Sequence, residues 1–238
     1  MIGGHLFYHH LLQKQHASPI LNKPYDVVWT SVFFLVCLAI LVFIKVTASN
    51  KVIKIIQSSF SINAMNELLR EESSNYKLHS VILNIFYSFN FSFLLYKINS
   101  IYKLVFIEYD LFFQFDLIFI LVFLFLGLKL VLNKLLHVLT NNNRSVIYYN
   151  SSSLKINQTL GLFLFPVLLL IEFTHFNTLL FTVFSFLIVL VLFTIKWFRG
   201  VFTAMIEEGV GLLQTFTYFC VLEVLPVLVL VKYIIETF

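Results

Sequence analysis

Apolar residues recur along the chain in six long runs separated by polar stretches. Each run approaches the roughly 20 residues that a helix needs to cross about 30 Å of hydrocarbon at about 1.5 Å per residue. The first covers Val27 to Ile44, opened by Pro24-Tyr25-Asp26 and closed by Lys45. The second, Leu78 to Tyr96, is the weakest, because Asn84, Asn90 and three Ser interrupt it. The third runs from Leu111 to about Leu136, with Asp116, Lys129 and Lys134 as its charges. The fourth, Ile156 to Ile171, contains Pro166, and the fifth runs uncharged from Phe173 or Asn177 to Ile195. The last, Gly209 to Val231, contains Glu223 and Pro226. The pattern predicts an all-α, polytopic membrane protein with about six transmembrane helices in one bundle. Five is the alternative, if the second run is only interfacial.

Composition agrees with this reading and excludes others. The chain is 60% hydrophobic and 12% charged, against about 25% charged in a soluble domain, and its mean hydropathy is +0.92. A soluble globule of 238 residues could not hide so much apolar surface. Twenty-nine Phe and eleven Tyr against four Pro and seven Gly exclude disorder and low complexity. The two cysteines, Cys37 and Cys220, lie in apolar runs, so a disulfide framework is excluded. No dense basic stripe exists to track phosphates, so nucleic acid is not an expected partner. The N-terminal stretch lacks a basic segment followed by an apolar one, and no cleaved signal peptide is expected.

Charge placement orients the spans. Eleven of the sixteen Lys and Arg fall on the side holding the connections between spans 1–2, 3–4 and 5–6. Cytoplasmic loops attract these residues. Residues 46–77, 130–155 and 196–208 are therefore expected in the cytoplasm of an inner-membrane protein with both termini outside. The chain reads as one integral-membrane domain, 1–238, with a non-cytoplasmic N-terminal arm at 1–25. Within 50–72, Val52, Ile53, Ile55, Ile56, Phe60, Leu68 and Leu69 alternate at roughly helical spacing with Lys51, Lys54, Asn63, Asn66 and Arg70. That predicts an interfacial amphipathic helix on the cytoplasmic side. Asn141 to Ser153, the most polar stretch, reads as a cytoplasmic loop, where its glycosylation-like Asn150-Ser151-Ser152 would go unused.

No catalytic constellation stands out: the chain lacks a Gly-rich phosphate loop, a GxSxG elbow and HExxH zinc spacing. His5, His9, His10 and His16 lie on the N-terminal arm without an acidic or Cys partner, so no metal or cofactor is expected. Lys196, Arg199, Glu207 and Glu208 read as ions flanking a loop at the membrane surface. Ionisable groups and helix-breaking prolines inside spans remain the candidate polar site: Glu223, Pro226, Cys220, Pro166 and Asp116. From Gly209, Glu223 lies fourteen residues into the last span. Pro166 and Pro226 free the carbonyls of Leu162 and Leu222, which should turn both prolines toward protein.

The stretch Phe216-Thr217-Tyr218-Phe219-Cys220-Val221-Leu222-Glu223-Val224-Leu225-Pro226 resembles the end of a Bacteroidota integral-membrane family that carries only a domain-of-unknown-function designation. Leu154 to Pro166 (LKINQTLGLFLFP) resembles that family's entry into its fourth span. The likeness covers span 1 to the C-terminus and rests most on the Cys-x-x-Glu-x-x-Pro pattern. It implies an inner membrane of a Gram-negative envelope and carries over no catalytic residue.

Three functional classes follow. A non-enzymatic scaffold or assembly subunit of a cell-envelope complex leads, because long apolar helix faces invite membrane-protein partners or a second copy. A carrier of a small or lipidic substrate, built on the Pro-containing spans and Glu223, is the first alternative. An enzyme acting on a membrane lipid is the second.

Overall fold

A computed structural model of the chain describes residues 24–70, 74–102, 109–139, 144–174, 178–208 and Lys232. Its elements are α1 (Pro24–Phe60), α2 (Ile62–Arg70), α3 (Ser74–Tyr102), α4 (Leu111–Leu139), α5 (Arg144–Phe173) and α6 (Thr178–Glu208). Five are long and apolar enough to cross a membrane, at Val28–Thr47, Leu78–Tyr102, Leu111–Leu132, Asn150–Phe173 and Thr178–Gly200. The chain is thus an all-helical, multi-pass membrane protein. The sixth run, 209–231, lies outside the described residues, as does the N-terminal arm to residue 23.

Burial runs against apolarity. The spans of α4 and α6 are the most apolar, yet only 11% and 17% of their residues are buried. Those of α3 and α5 are the least apolar, with 44% and 61% buried. In lipid the surrounding medium is as apolar as leucine, so burial gains nothing for a Leu but rescues a Ser, Asn or Gln. Asn84, Ser88, Asn90 and Ser92, which weaken the apolar signal of α3, accordingly face protein, and Asn90 and Ser92 are fully buried. The α3 span reaches 25 residues, which is ample to cross.

Helix α5 is the axis of the bundle and packs against α1, α3 and α6, while α4 leans mainly on α3. The α3–α5 approach is close because Gly161 lies directly against the backbone of Tyr87. Toward one end, the interior is filled by aromatic rings. Phe33 stacks on Phe93 at 4.7 Å, and Trp29 meets Tyr96 edge-on at 5.4 Å. Phe34, Phe86 and Phe165 continue this core, with Leu164 and Leu168 fully buried. Toward the other end a smaller cluster joins Ile44, Ile55, Leu68 and Leu83. There α2 folds back beside α1 across a break at Ser61, whose amide donates to the Gln57 carbonyl at 2.9 Å.

Several boundaries differ from the sequence reading. Lys45 does not end the first helix; α1 continues as one element to Phe60, so residues 50–70 divide between its last turns and α2, on either side of Ser61. The stretch that reads as a loop, Asn141 to Ser153, is helical from Arg144, and Ser152 and Ser153 are buried. Lys196 and Arg199 sit on α6 and not beside a loop, since the helix runs to Glu208. Polar and charged residues end a hydrocarbon crossing, but Lys, Arg and Glu are good helix formers and do not end a helix. Pro166 lies inside α5 on its exposed side, not toward protein. The helix continues through it to Phe173.

Candidate functional site

Around the entry to α5, polar residues recur at helical spacing. Ser152, Lys155 and Thr159 share one face, with Gln158 on its edge toward α3. All four are buried. The Gln158 amide nitrogen donates to the Ser80 carbonyl at 3.1 Å, the Ser80 hydroxyl at 2.7 Å and Asn84 Oδ1 at 3.1 Å. Two N–H groups thus serve three acceptors on α3. Because a backbone carbonyl can only accept, Ser80 fixes which way the amide points. Lys155 Nζ donates to the same Ser80 hydroxyl at 3.3 Å.

Helix α1 closes the other side. Ser59 Oγ lies 2.7 Å from Thr159 Oγ1 and 3.1 Å from the Ile55 carbonyl of its own helix. From α6, Arg199 Nη1 donates to the Ser58 carbonyl at 2.6 Å and reaches Ser152 Oγ at 3.5 Å. One guanidinium therefore ties α6 to both α1 and α5. Lys196, one turn earlier, extends its ammonium to 5.9 Å from the Phe193 ring. Among the described residues, the buried charged side chains are Lys155, Lys196 and Arg199, at 2%, 6% and 9% exposure. All three are cations, and all lie within a few turns of the same end of the bundle.

The opposite end holds a different arrangement. Lys97 of α3 forms an ion pair with Glu172 of α5. Its ammonium also stands 5.5 Å from the Phe93 ring centre and 5.7 Å from that of Tyr96. Nearby, Asn99 donates to Gln114 of α4 at 3.3 Å, and Gln114 donates to the Tyr109 carbonyl at 2.8 Å.

The residues singled out from sequence do not form this site. Glu223, Pro226 and Cys220 lie outside the described residues. Asp116 is half-buried, five residues into α4, near a helix N-terminus where the dipole favours a carboxylate. Pro166 is exposed on α5, seven residues past Thr159 and so about two turns beyond the polar residues along the same stripe. Sequence reasoning missed the Ser152-Lys155-Thr159 face, and took Lys196 and Arg199 as ions flanking a loop without joining them to it. The spacings of three and four along that face are the available signal, hidden because the expected loop to Ser153 and the apolar run from Ile156 divide it. No group of three or more His, Cys, Asp or Glu able to hold a metal occurs among the described residues; the N-terminal histidines lie outside them.

Fold and site together define a multi-pass helical membrane protein with a polar, cation-bearing end to its bundle. Residues 30–234 match the family described as a domain of unknown function, DUF4271. The chain belongs to that family. No curated protein and no solved structure matches it.

Proposed function

We propose that this chain is a non-enzymatic scaffold or assembly subunit of a cell-envelope complex, seated in the inner membrane. The observation that carries the reading is the distribution of bulk. Phe33, Phe86, Phe93, Phe165, Leu164 and Leu168 fill the interior, while α4 and α6 turn apolar faces outward at span depth, Phe123, Leu124, Leu180 and Phe186 among them. A filled interior favours a packing role over a substrate path, and faces of this kind fit against lipid and membrane-protein partners alike. Extraction of the tagged full chain in mild detergent, with quantitative mass spectrometry of what accompanies it, is expected to recover at least one membrane protein in stoichiometric amount. A chain that purifies alone and drives substrate-dependent uptake in proteoliposomes would replace this reading with the carrier.

The same proposal puts the cationic end in the cytoplasm, supported by the bias of Lys and Arg toward that side. Exposed positions at the two ends of the bundle report on topology. In a variant whose native Cys37 and Cys220 are replaced by Ala, we expect Ser100→Cys to react with a membrane-impermeant thiol reagent in intact spheroplasts. Asn63→Cys, exposed on α2, should react only after lysis. The reverse pattern would invert the topology.

A further inference from the structure

We propose that the closing part of α1, from Val46 to Phe60, lies along the membrane surface as a strap whose outward face contacts lipid. This stands apart from the scaffold reading and from which way the protein faces. Up to Thr47, α1 runs antiparallel to α3: Trp29 meets Tyr96, Phe33 meets Phe93 and Phe89, and Thr47 Oγ1 lies 3.2 Å from His79 Nε2. A straight helix would then carry Ser58 about 17 Å beyond that level, at about 1.5 Å per residue. Instead Ser59 Oγ lies 2.7 Å from Thr159 Oγ1 and 3.4 Å from the Lys155 carbonyl, and the Ser58 carbonyl accepts from Arg199. Those partners are level with His79, because Gln158, next to Thr159, bonds Ser80. The helix therefore turns across the bundle after Thr47. Thr47 supplies a cause: its hydroxyl donates to the Phe43 carbonyl at 2.7 Å, a bond back along the helix of the kind that bends it.

The strap sits at the edge of the hydrocarbon. Thr47 closes the α1 span, His79 is the second residue of the α3 span, and Arg199 is the last but one of the α6 span. Lys155 and Thr159 lie five and nine residues past Asn150, where the α5 span begins at the same end. A segment that touches all of these runs in the plane where the spans leave the hydrocarbon. That is the depth at which amphipathic helices bury their apolar side chains.

The two faces of the strap identify its partner. Ile55, Ser58 and Ser59 are buried against the bundle, whereas Val46, Asn50, Ile53, Gln57 and Phe60 are exposed. The exposed positions follow one another by four, three, four and three residues, so they form one stripe. Serines turned inward with Val, Ile and Phe turned outward suit a helix against acyl chains; water would favour the reverse. Asn50 and Gln57, between the apolar residues, suit the headgroup layer. Beyond its first residue, Ile62, helix α2 is the opposite case. Met65 and Leu68 are buried on protein, and Asn63, Asn66 and Glu67 are exposed as on a face toward water. The interfacial helix expected over residues 50–72 is thus confined to the strap.

The test uses the full chain with its native Cys37 and Cys220 replaced by Ala, carrying Ile53→Cys, Gln57→Cys or Phe60→Cys, with Asn63→Cys as the reference. Each variant is labelled with an environment-sensitive fluorophore. It is held in nanodiscs of phosphatidylethanolamine and phosphatidylglycerol, which leave both membrane faces open. One quencher is a phosphatidylcholine with a nitroxide high on its acyl chain; the other is aqueous iodide. Labels at positions 53 and 60 should be quenched by the nitroxide lipid and resist iodide about fivefold better than the label at 63, as burial about 5–10 Å into the headgroup boundary requires. The label at position 57 should respond in the same direction, and serves if either apolar variant does not fold. Iodide quenching at 53 and 60 equal to that at 63 would put the segment in water and overturn the proposal. Quenching by neither agent would show protein covering the stripe, a second copy or another partner, and would overturn it too.

Discussion

Gly161→Leu is expected to abolish the native bundle, and Gly161→Ala to weaken it by about 1–3 kcal/mol, the usual cost of overpacking a filled core. A Cβ on Gly161 would lie 2.7 Å from the Tyr87 Cα, 3.0 Å from its Cβ and 3.2 Å from its backbone nitrogen. These are main-chain atoms and the root of a side chain, so no flexible end can swing away. Either α3 moves off α5 or the crossing angle changes, and both disturb the Gln158–Ser80 contacts nearby. An opposing effect exists, since Ala favours a helix over Gly by about 1 kcal/mol, but a clash against backbone outweighs it. Gly127→Ala provides the control. Gly127 lies on α4, and a methyl group added there would meet nothing within 4 Å, so only the helix preference acts and stability should hold or rise slightly. Fluorescence-detected size exclusion after graded heating in detergent reads all three variants. Equal stability of Gly161→Ala and Gly127→Ala would show that the α3–α5 crossing is looser than its geometry implies.

How much of this is legible in the sequence depends on which solvent each residue faces. The spans of α1, α4 and α6 announce themselves because lipid-facing helices are apolar nearly all round. Span 2 reads as doubtful for the same reason that it matters: Asn84, Asn90 and Ser92 lower its apolarity because they are turned into the protein. The entry to α5 is hidden in a similar way. Ser152 and Ser153 read as loop chemistry and Gln158 as part of an apolar run, yet with Lys155 they form the buried face of a helix against α1 and α3. A hydropathy reading finds where a chain leaves hydrocarbon, not where its helix stops, and Lys45, Arg144 and Arg199 all lie in helix that continues past a predicted span end. The Gly161 contact is invisible for another reason. A single glycine without a GxxxG repeat carries no pattern, and only the position of Tyr87 on another helix gives it meaning. Partners and substrate stay out of reach because apolar faces identify a medium and not a molecule.

Breaking the Lys97–Glu172 pair from one side should cost more than removing it whole. Lys97 and Glu172 join α3 to α5 at the end of the bundle opposite the cationic cluster, with side chains 21% and 13% exposed. A fully buried pair loses about 3–5 kcal/mol when one partner is removed, and a surface pair contributes about 0–1 kcal/mol. This pair lies between those limits, so Glu172→Leu should destabilise the protein by about 2 kcal/mol. Lys97→Leu should cost at least as much, because it strands a carboxylate and also removes the ammonium from beside Phe93 and Tyr96, a contact of about 1 kcal/mol. Replacing both by Leu leaves no stranded charge at a depth where Leu is at home. The double variant should therefore recover most of the loss, and a double-mutant cycle should give a coupling of about 1–3 kcal/mol. Exchanging the charges, Lys97→Glu with Glu172→Lys, should recover less, since it places a carboxylate against the negative faces of two rings. Detergent-solubilised unfolding of the wild type, the two single Leu variants and the double Leu variant measures the cycle. Strictly additive losses would mean that the two side chains act separately, and the link between α3 and α5 would then rest on the Gly161 contact, the Gln158 and Lys155 bonds to Ser80, and packing such as Phe86 against Phe165.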